Sequence, residues 1–421
     1  MILRRLVSLA RRVIGYARLR RDAAELRASG LFDAVSYRAH NTGLGRIGNP
    51  ALHYLQRGAD EGRHPSAAFD GEAYCARYPD VEMTDSNPLL HYLRIGRGKG
   101  RETFPVRGEA SPRQPLVETT EPRNGDDENL GEFDHAVPVW PLVSVIIPSR
   151  DRAAMLARCV ADVLARTDYP RIEVIVVDNA SRTRRAQRLL ARLRQDARVR
   201  VLDFRAPFNW SAMNNAAARI ARGEVLLLLN NDIRAHQPAW LQEMVRLALR
   251  PDIGVVGAKL LYPNNRVQHA GVSLSRGAVA RHMFRHARAD DPGHAGMLAR
   301  RRTVAAVTGA CMATRRDSFD AVGGLEEAHL GLTNGDIDLC LRVRAHGQRV
   351  VWTPFAVLEH HEAATRGLDL TDTHRERLRR EREYLVQTWG NLAQTDPYLP
   401  ANTVCVGERL LAVVPPRCKA G

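Results

Sequence analysis

The sequence predicts an α/β protein, a mostly parallel sheet flanked by helices, preceded by a small helical repeat module and a linker. Three observations carry this. From Pro141 onward, short apolar runs alternate with helical runs over short connections, as in a parallel sheet covered by helices. Ahead of that, one unit occurs twice: "NPALHYL" begins at Asn49 and "NPLLHYL" at Asn87, 38 residues later. Between the two regions lies "VRGEASPRQPLVETTEPRNGDDENLGEF", rich in Pro, Gly and acid and without an apolar period.

Residues 1–29 read as a basic amphipathic helix. Its arginines at 4, 5, 11, 12 and 18 alternate with apolar positions. Such a helix can lie on an anionic membrane surface, or it can pack on the next domain. The arginines interrupt it too often for a secretory signal, and no run of 18 apolar residues exists to span a bilayer. Residues 30–105 form the repeat module. Phe32, Asp33 and Tyr37 in its first copy answer to Phe69, Asp70 and Tyr74 in the second. Each copy is expected to be a helical unit that buries its face on the other, with His53 and His91 as satisfied core histidines. Residues 106–140 are the linker, 141–390 the α/β domain and 391–421 a C-terminal tail.

Within the α/β domain, "LVSVIIP" and "IEVIVVDNAS" read as strands, with a helix over 153–167 between them. A helix near 182–195 leads to the strand "RVRVLDF". "SAMNNAAARIARG" reads as a helix with Gly223 at its C-cap, followed by "EVLLLLNND" as a fully buried strand. "GVVGAKLLYP", "VAAVTGACMATR" and "RVVWTPFAVLEHH" are further strands. "NGDIDLCLRVRAHG" and residues 372–389 are helices.

Bulk properties narrow the function. The net charge of +15 implies attraction to anions, whether nucleic acid, acidic lipid or phosphorylated substrate. No nucleic-acid recognition motif accompanies it, so nucleic acid is not expected as a partner. The six cysteines include no C-x-x-C pair, which argues against a zinc site and against a disulfide framework. Reduced, packing thiols in a cytoplasmic protein are expected.

In an open parallel sheet, ligands bind beyond the carboxyl ends of the strands. Three strands here end in polar residues: Pro148-Ser149-Arg150-Asp151, Asp178-Asn179 and Asn230-Asn231-Asp232. Neither G-x-G-x-x-G nor G-x-x-x-x-G-K-[ST] is present, so a diphosphate would need a divalent cation as counter-charge. Mg2+ takes few protein ligands and completes its shell with phosphate and water, and Asp232 is the natural carboxylate for it.

"PLVSVIIPSRDR", "IEVIVVDNAS", "PFNWSAMNNAAARIARGEVLLLLNND", "GAKLLYPNNRVQHAGV", "GDIDLCLRVRAHG" and "VVWTPFAVLEHHEAATRG" together resemble the family 2 glycosyltransferases of GT-A fold, over roughly residues 141–390. The repeat module resembles, more weakly, one attached to bacterial surface-polysaccharide glycosyltransferases. The resemblance implies an inverting, metal-dependent transferase, using Mg2+ or Mn2+. It would move a sugar from a UDP- or dTDP-sugar to a glycan or lipid-linked acceptor of a cell-surface polysaccharide such as O-antigen. It also implies roles. Pro148, Ser149, Arg150, Asp178, Asn209, Asn215 and Asn231 would border the nucleotide sugar. Asp232 would bind metal and Asp336 would act as catalytic base. One of the adjacent His360 and His361 would join the metal. They face opposite ways on a strand, and His361 is the choice. Family members commonly place Glu or Asn ahead of the base; here Gly335 stands there. By its residue type alone Asp336 is equally a helix N-cap. The alternative function is a non-catalytic sugar-nucleotide-binding or scaffold protein on the same fold.

Overall fold

The structure is a computed structural model of the whole chain. It describes residues 19–40, 49–59, 63–78, 87–105, 139–275, 279–361 and 372–390, with residues 81, 130 and 137 and the pieces 396–399, 403–406 and 409–412. Most of the expected N-terminal helix and of the linker lies outside the described residues. Contacts divide the chain into two compact units. One is Met1–Glu121 with Leu370–His374 and Val404–Leu411; the other is Pro122–Asp369 with Arg375–Thr403 and Ala412–Gly421.

In the smaller unit, helical residues 19–28 (α1) precede two copies of one motif. The first holds α2 (Ala34–His40) and α3 (Pro50–His53), which runs on into a wider turn, Tyr54–Gly58. The second holds α4 (Gly71–Arg77) and α5 (Pro88–His91), which runs on into Tyr92–Gly96. Short polar side chains start these helices in both copies: Asn49 accepts from Leu52 N–H, Asp70 from Ala73 N–H, and Asn87 from Leu89 and Leu90 N–H. The Tyr37 hydroxyl meets His53 Nδ1 at 2.9 Å, and the Tyr74 hydroxyl meets His91 Nδ1 at 3.1 Å. A Cβ on Gly58 would stand 2.0 Å from the Tyr37 hydroxyl, and one on Gly96 would stand 2.0 Å from that of Tyr74. Both glycines are therefore required by close approach of an aromatic ring.

The larger unit is built on a sheet of order β10–β12–β6–β11–β4–β1–β2–β3. Its strands are β1 (Val143–Ser149), β2 (Ile172–Asp178), β3 (Val199–Asp203), β4 (Val225–Leu229), β5 (Ile233–Ala235), β6 (Ile253–Leu261), β7 (Val267–His269), β10 (Arg302–Thr303), β11 (Cys311–Arg315) and β12 (Arg349–His360), with β5 added to β12 and β7 to β6. Strands β8 (Val272–Ser275) and β9 (Val279–His282) form a separate hairpin; β13 (Thr403–Val406) pairs with β14 (Arg409–Ala412), most of which belongs to the smaller unit. Strands β4, β1, β2 and β3 are mutually parallel, as are β6 and β12, whereas β11 runs antiparallel between β4 and β6. Among the described residues the helices that follow in chain order are α6 (Ala153–Ala165), α7 (Arg184–Leu193), α8 (Trp210–Ile220), α9 (Trp240–Ala248), α10 (Arg316–Ala321), α11 (Gly335–Ala345) and α12 (Asp372–Trp389).

Neighbouring residues on a strand point to opposite faces, and each face has its own apolar cluster. Val145, Val174 and Leu227 pack with Val160 of α6 and Met244 of α9. Ile146, Ile175 and Leu228 pack with Met213 of α8 and Leu339 of α11. All five residues of β4 are buried, which accounts for its unbroken leucines. Cys159, Cys311 and Cys340 are free and buried in these cores.

Two local expectations are corrected. Gly223 is not a helix cap: α8 ends in an extended Ala221, and Gly223 lies against β1, where a Cβ would meet the Leu142 carbonyl oxygen and Ser144 N, each at 2.6 Å. "VAAVTGACMATR" is not one strand. Cys311–Arg315 forms the strand, Ala306 makes only an isolated bridge with Val272, and between them Gly309 and Ala310 turn to neighbours at the sheet edge.

Candidate active site

Strand β1 ends beside β2, with Ser149 in register with Asp178. Pro148 is tolerated in a central strand because the pairing of β1 with β4 has already stopped at Ile146. Asp151 follows in a left-handed conformation (φ 61°). Its carboxylate accepts the Arg182 and Thr183 N–H at 2.6 and 2.8 Å, stitching the β1 end to the loop after β2. Burial works to raise this acid, but those backbone donors win and hold it below the ordinary range. Asn179 does the same one strand further on, donating to the Phe204 and Ala206 carbonyls. The Asp178 carboxylate is buried at the mouth of this rim and accepts Ser181 N–H at 3.2 Å. Arg150 is exposed and acts electrostatically on Asp151.

At the end of β4 the chain turns through Asn230, Asn231 and Asp232. Asn231 donates to Ser149 Oγ at 2.9 Å, tying this turn to β1. Asp232 is buried, and its Oδ1 lies 3.1 Å from His360 Nε2. The imidazole beside Asp232 is thus that of His360, not His361. His360 closes β12 opposite Ile233 of β5, and that pairing turns its ring inward. His361 gives Asp232 only its backbone N–H, at 3.1 Å, and its ring bonds Glu359.

Gln268 of β7 orients the His360 ring by a 2.7 Å hydrogen bond between its Oε1 and His360 Nδ1. Asn230 Nδ2 lies 3.4 Å from Nε2 on the other side of the ring. A carboxylate oxygen and an imidazole nitrogen therefore face each other inside the protein, a donor pair of the kind that holds a cation. Adjacent ligands of an octahedral ion with bonds of about 2.1 Å are about 3.0 Å apart, close to the observed separation. Among the described residues, no group of three His, Cys, Asp or Glu side chains could hold a metal by itself. The pair would leave most of an ion's shell to water and phosphate.

Asp336 opens α11. Its Oδ2 accepts Gly309 N–H at 2.8 Å and its Oδ1 accepts Ile337 N–H at 2.9 Å. The next residue, Ala310, accepts the Asn230 N–H at 2.9 Å. Two consecutive residues thus link Asp336 to the turn that carries Asp232, at one edge of the sheet. Gly335 admits no side chain, since a Cβ there would lie 2.5 Å from Ser211 Oγ. This accounts for glycine ahead of Asp336. Glu381 of α12, itself buried, accepts the Leu332 and Thr333 N–H groups and so fixes the loop before Asp336. Asp338 pairs with Arg342 and Trp389.

Asn209 and Asn215 are directed elsewhere. Asn209 caps α8 at Ala212 N–H and donates to the Glu327 carbonyl. Asn215 both donates to and accepts from Leu325, and also donates to the Glu327 carboxylate. Both amides hold the segment that runs down to Asp336. The residues that sequence reasoning missed are Gln268, Gly309 and Glu381. Gln268 lies within "GAKLLYPNNRVQHAGV", where a neutral amide on a short strand carries no signal of its own. The other two act through backbone N–H groups or across long sequence separation and leave no local signal.

Residues 144–323 match the family described as Glycosyl transferase family 2. The protein y4gI of Sinorhizobium fredii is 47% identical over 258 residues, 61% of this chain and 28% of its own length. The O-antigen biosynthesis protein RfbC of Myxococcus xanthus is 42% identical over 230 residues, 54% of this chain and 18% of its own length. The chain thus spans less than a third of either relative. Among solved structures, a mannosyltransferase from Pyrobaculum calidifontis, in complex with GDP-Man and Mn2+, matches at TM-score 0.43 with 19% identity, covering 76% of this chain and 75% of that one.

Proposed function

We propose that this chain, whose residues 144–323 match the glycosyl transferase family 2 description, is an inverting, metal-dependent glycosyltransferase acting on a nucleoside-diphosphate sugar. The observation that carries the reading is Asp232 Oδ1 facing His360 Nε2 at 3.1 Å, at the sheet edge that also holds Asp336. A cation bound there would neutralise charge on the departing diphosphate. A mixed oxygen and nitrogen pair favours Mn2+ over Mg2+.

The chain's own residues would do the rest. Asp178, at the end of β2, can accept the imide N–H of uracil or thymine, which favours a UDP- or dTDP-sugar. Ser149, Asn231 and Arg150 border the diphosphate. The Asp336 carboxylate, with one oxygen fixed by Gly309 and the other by Ile337, would take the proton from the attacking hydroxyl on the face opposite the leaving group. Displacement in one step inverts the anomeric carbon. The relationship to an O-antigen biosynthesis protein supports a surface polysaccharide as the acceptor. Among the described residues no helix is long and apolar enough to cross a membrane. Association with the cytoplasmic membrane face would then fall to the basic N-terminal segment, a liposome-binding question.

The test is transfer from radiolabelled UDP- and dTDP-sugars with Mn2+, paired with Asp232→Asn. Turnover should fall by about 10³-fold or more as metal-borne stabilisation is lost, with the melting temperature retained. Wild-type-like turnover in that variant refutes the metal assignment. Donor binding without turnover in the wild type favours the non-catalytic alternative.

A further inference from the structure

We infer that the larger unit carries a second binding site, an oxyanion subsite built around Lys259 near the end of β6. Lys259 sits in an otherwise apolar strand and is 6% exposed. Its Nζ donates to the Ala289 carbonyl at 2.8 Å. Among the described residues no carboxylate touches it; Asp290 and Asp291 act on it only at longer range. An ammonium has three donors, so one carbonyl leaves it under-coordinated. Lys259 lines an open hollow of about 470 Å³, together with Gln237, Asn265, Arg266, Arg288 and Asp290.

The lining is rich in cations. Arg266 gives one guanidinium nitrogen to the His286 carbonyl, and Arg288 pairs with Asp290, leaving a surplus of positive charge on the wall. A desolvated cation is costly unless paired. Burial accordingly pushes the Lys259 ammonium below its ordinary value. An anion in the hollow would reverse that. The space fits a ligand of sugar size bearing a carboxylate or a phosphate.

The position has a functional consequence. Lys259 is in register with Val357, three residues before His360 on β12. At a strand rise of about 3.3 Å per residue, the subsite lies roughly 10 Å from the Asp232–His360 pair. Its use as a seat for an acidic unit of the acceptor rests on the transferase reading above, but oxyanion binding itself does not.

The experiment is calorimetric titration of the full chain with glucuronate and, separately, with inorganic phosphate. The two arms decide which oxyanion the site prefers. Lys259→Met should weaken the preferred anion by on the order of tenfold, as for loss of one charge-assisted hydrogen bond. UDP with Mn2+ should bind unchanged. Should Lys259→Met fail to fold, Arg266→Ala with Arg288→Ala, both on the rim, should still weaken the anion by roughly threefold. Anion binding equal to wild type in every folded variant, or none in the wild type, overturns the proposal. Failure of the transferase reading looks different: UDP and Mn2+ would not bind while the anion still did.

Discussion

In the smaller unit Tyr37 meets His53 and Tyr74 meets His91; in the larger, Asp232 meets His360. His91 and His360 are buried and His53 partly so, and their partners differ in kind. A tyrosine hydroxyl both donates and accepts, so it closes a neutral pair with either imidazole tautomer. Each pair also lies against a glycine with no room to spare. A carboxylate only accepts, and Gln268 holds the other ring nitrogen. The tyrosine pairs are closed by one neutral hydrogen bond each. The Asp232–His360 pair offers an oxygen and a nitrogen, the donor set that the proposed metal would use. A buried histidine is therefore read by what its neighbour can donate, not by its burial.

The sharpest way to break this comparison is to crowd a tyrosine pair. Gly96→Ala should destabilise the smaller unit by about 3 kcal/mol, since the added carbon meets the Tyr74 hydroxyl and overpacking costs of this order are typical. Chemical denaturation followed by tyrosine fluorescence checks it, with UDP binding by the larger unit as the unaffected reference. Next, Gln268→Leu should lower Mn2+ affinity by about 10–100-fold, as loss of the group that orients a metal-bound imidazole does. Calorimetry reads this directly, and an unchanged affinity would place the metal elsewhere. His360→Ala should lower it at least as far, while His361→Ala should leave it within about threefold, because the His361 ring bonds Glu359.

The smallest effect concerns pH. His269, next to Gln268, is fully buried; its Nδ1 lies 2.9 Å from His282 Nδ1, and its Nε2 accepts from Thr308 N–H. Burial above all, then the neighbouring His282, holds it well below the ordinary 6.5. The unfolded chain takes up this proton near pH 6.5 and the folded chain does not. Its contribution is thus fully present above that pH and is lost as the pH falls below it. Replacing His269 with Gln should make the pH dependence of stability between pH 6 and 5 shallower by about 1 kcal/mol per pH unit. Melting curves at the two pH values decide it.

Much of this was open to a reader of the residues alone. Strand ends are legible because a long apolar run must stop where water begins. Ser149, Asp178 and Asp232 were found that way, and the structure gathers them at one edge. The doubled Asn-Pro and His-Tyr-Leu segments likewise announced two copies of one helical unit, with histidines belonging to its interior. Gly223 misled because a glycine after a helix usually caps it, whereas here close approach of β1 demands it. Asn209 and Asn215 looked like ligand contacts because they border the motif, yet their amides hold the 325–331 segment in place.

By itself, then, the order of residues determined the α/β class, the helical repeats and the polar strand ends, since periodicity, capping and desolvation act between near neighbours in the chain. Only the tertiary structure decided which histidine meets Asp232, that Gly309 and Ala310 bridge Asp336 to Asn230, and that Lys259 lines a hollow. Those relations join residues tens to more than a hundred positions apart. They depend on which strands pair and in what register, and no local pattern encodes that.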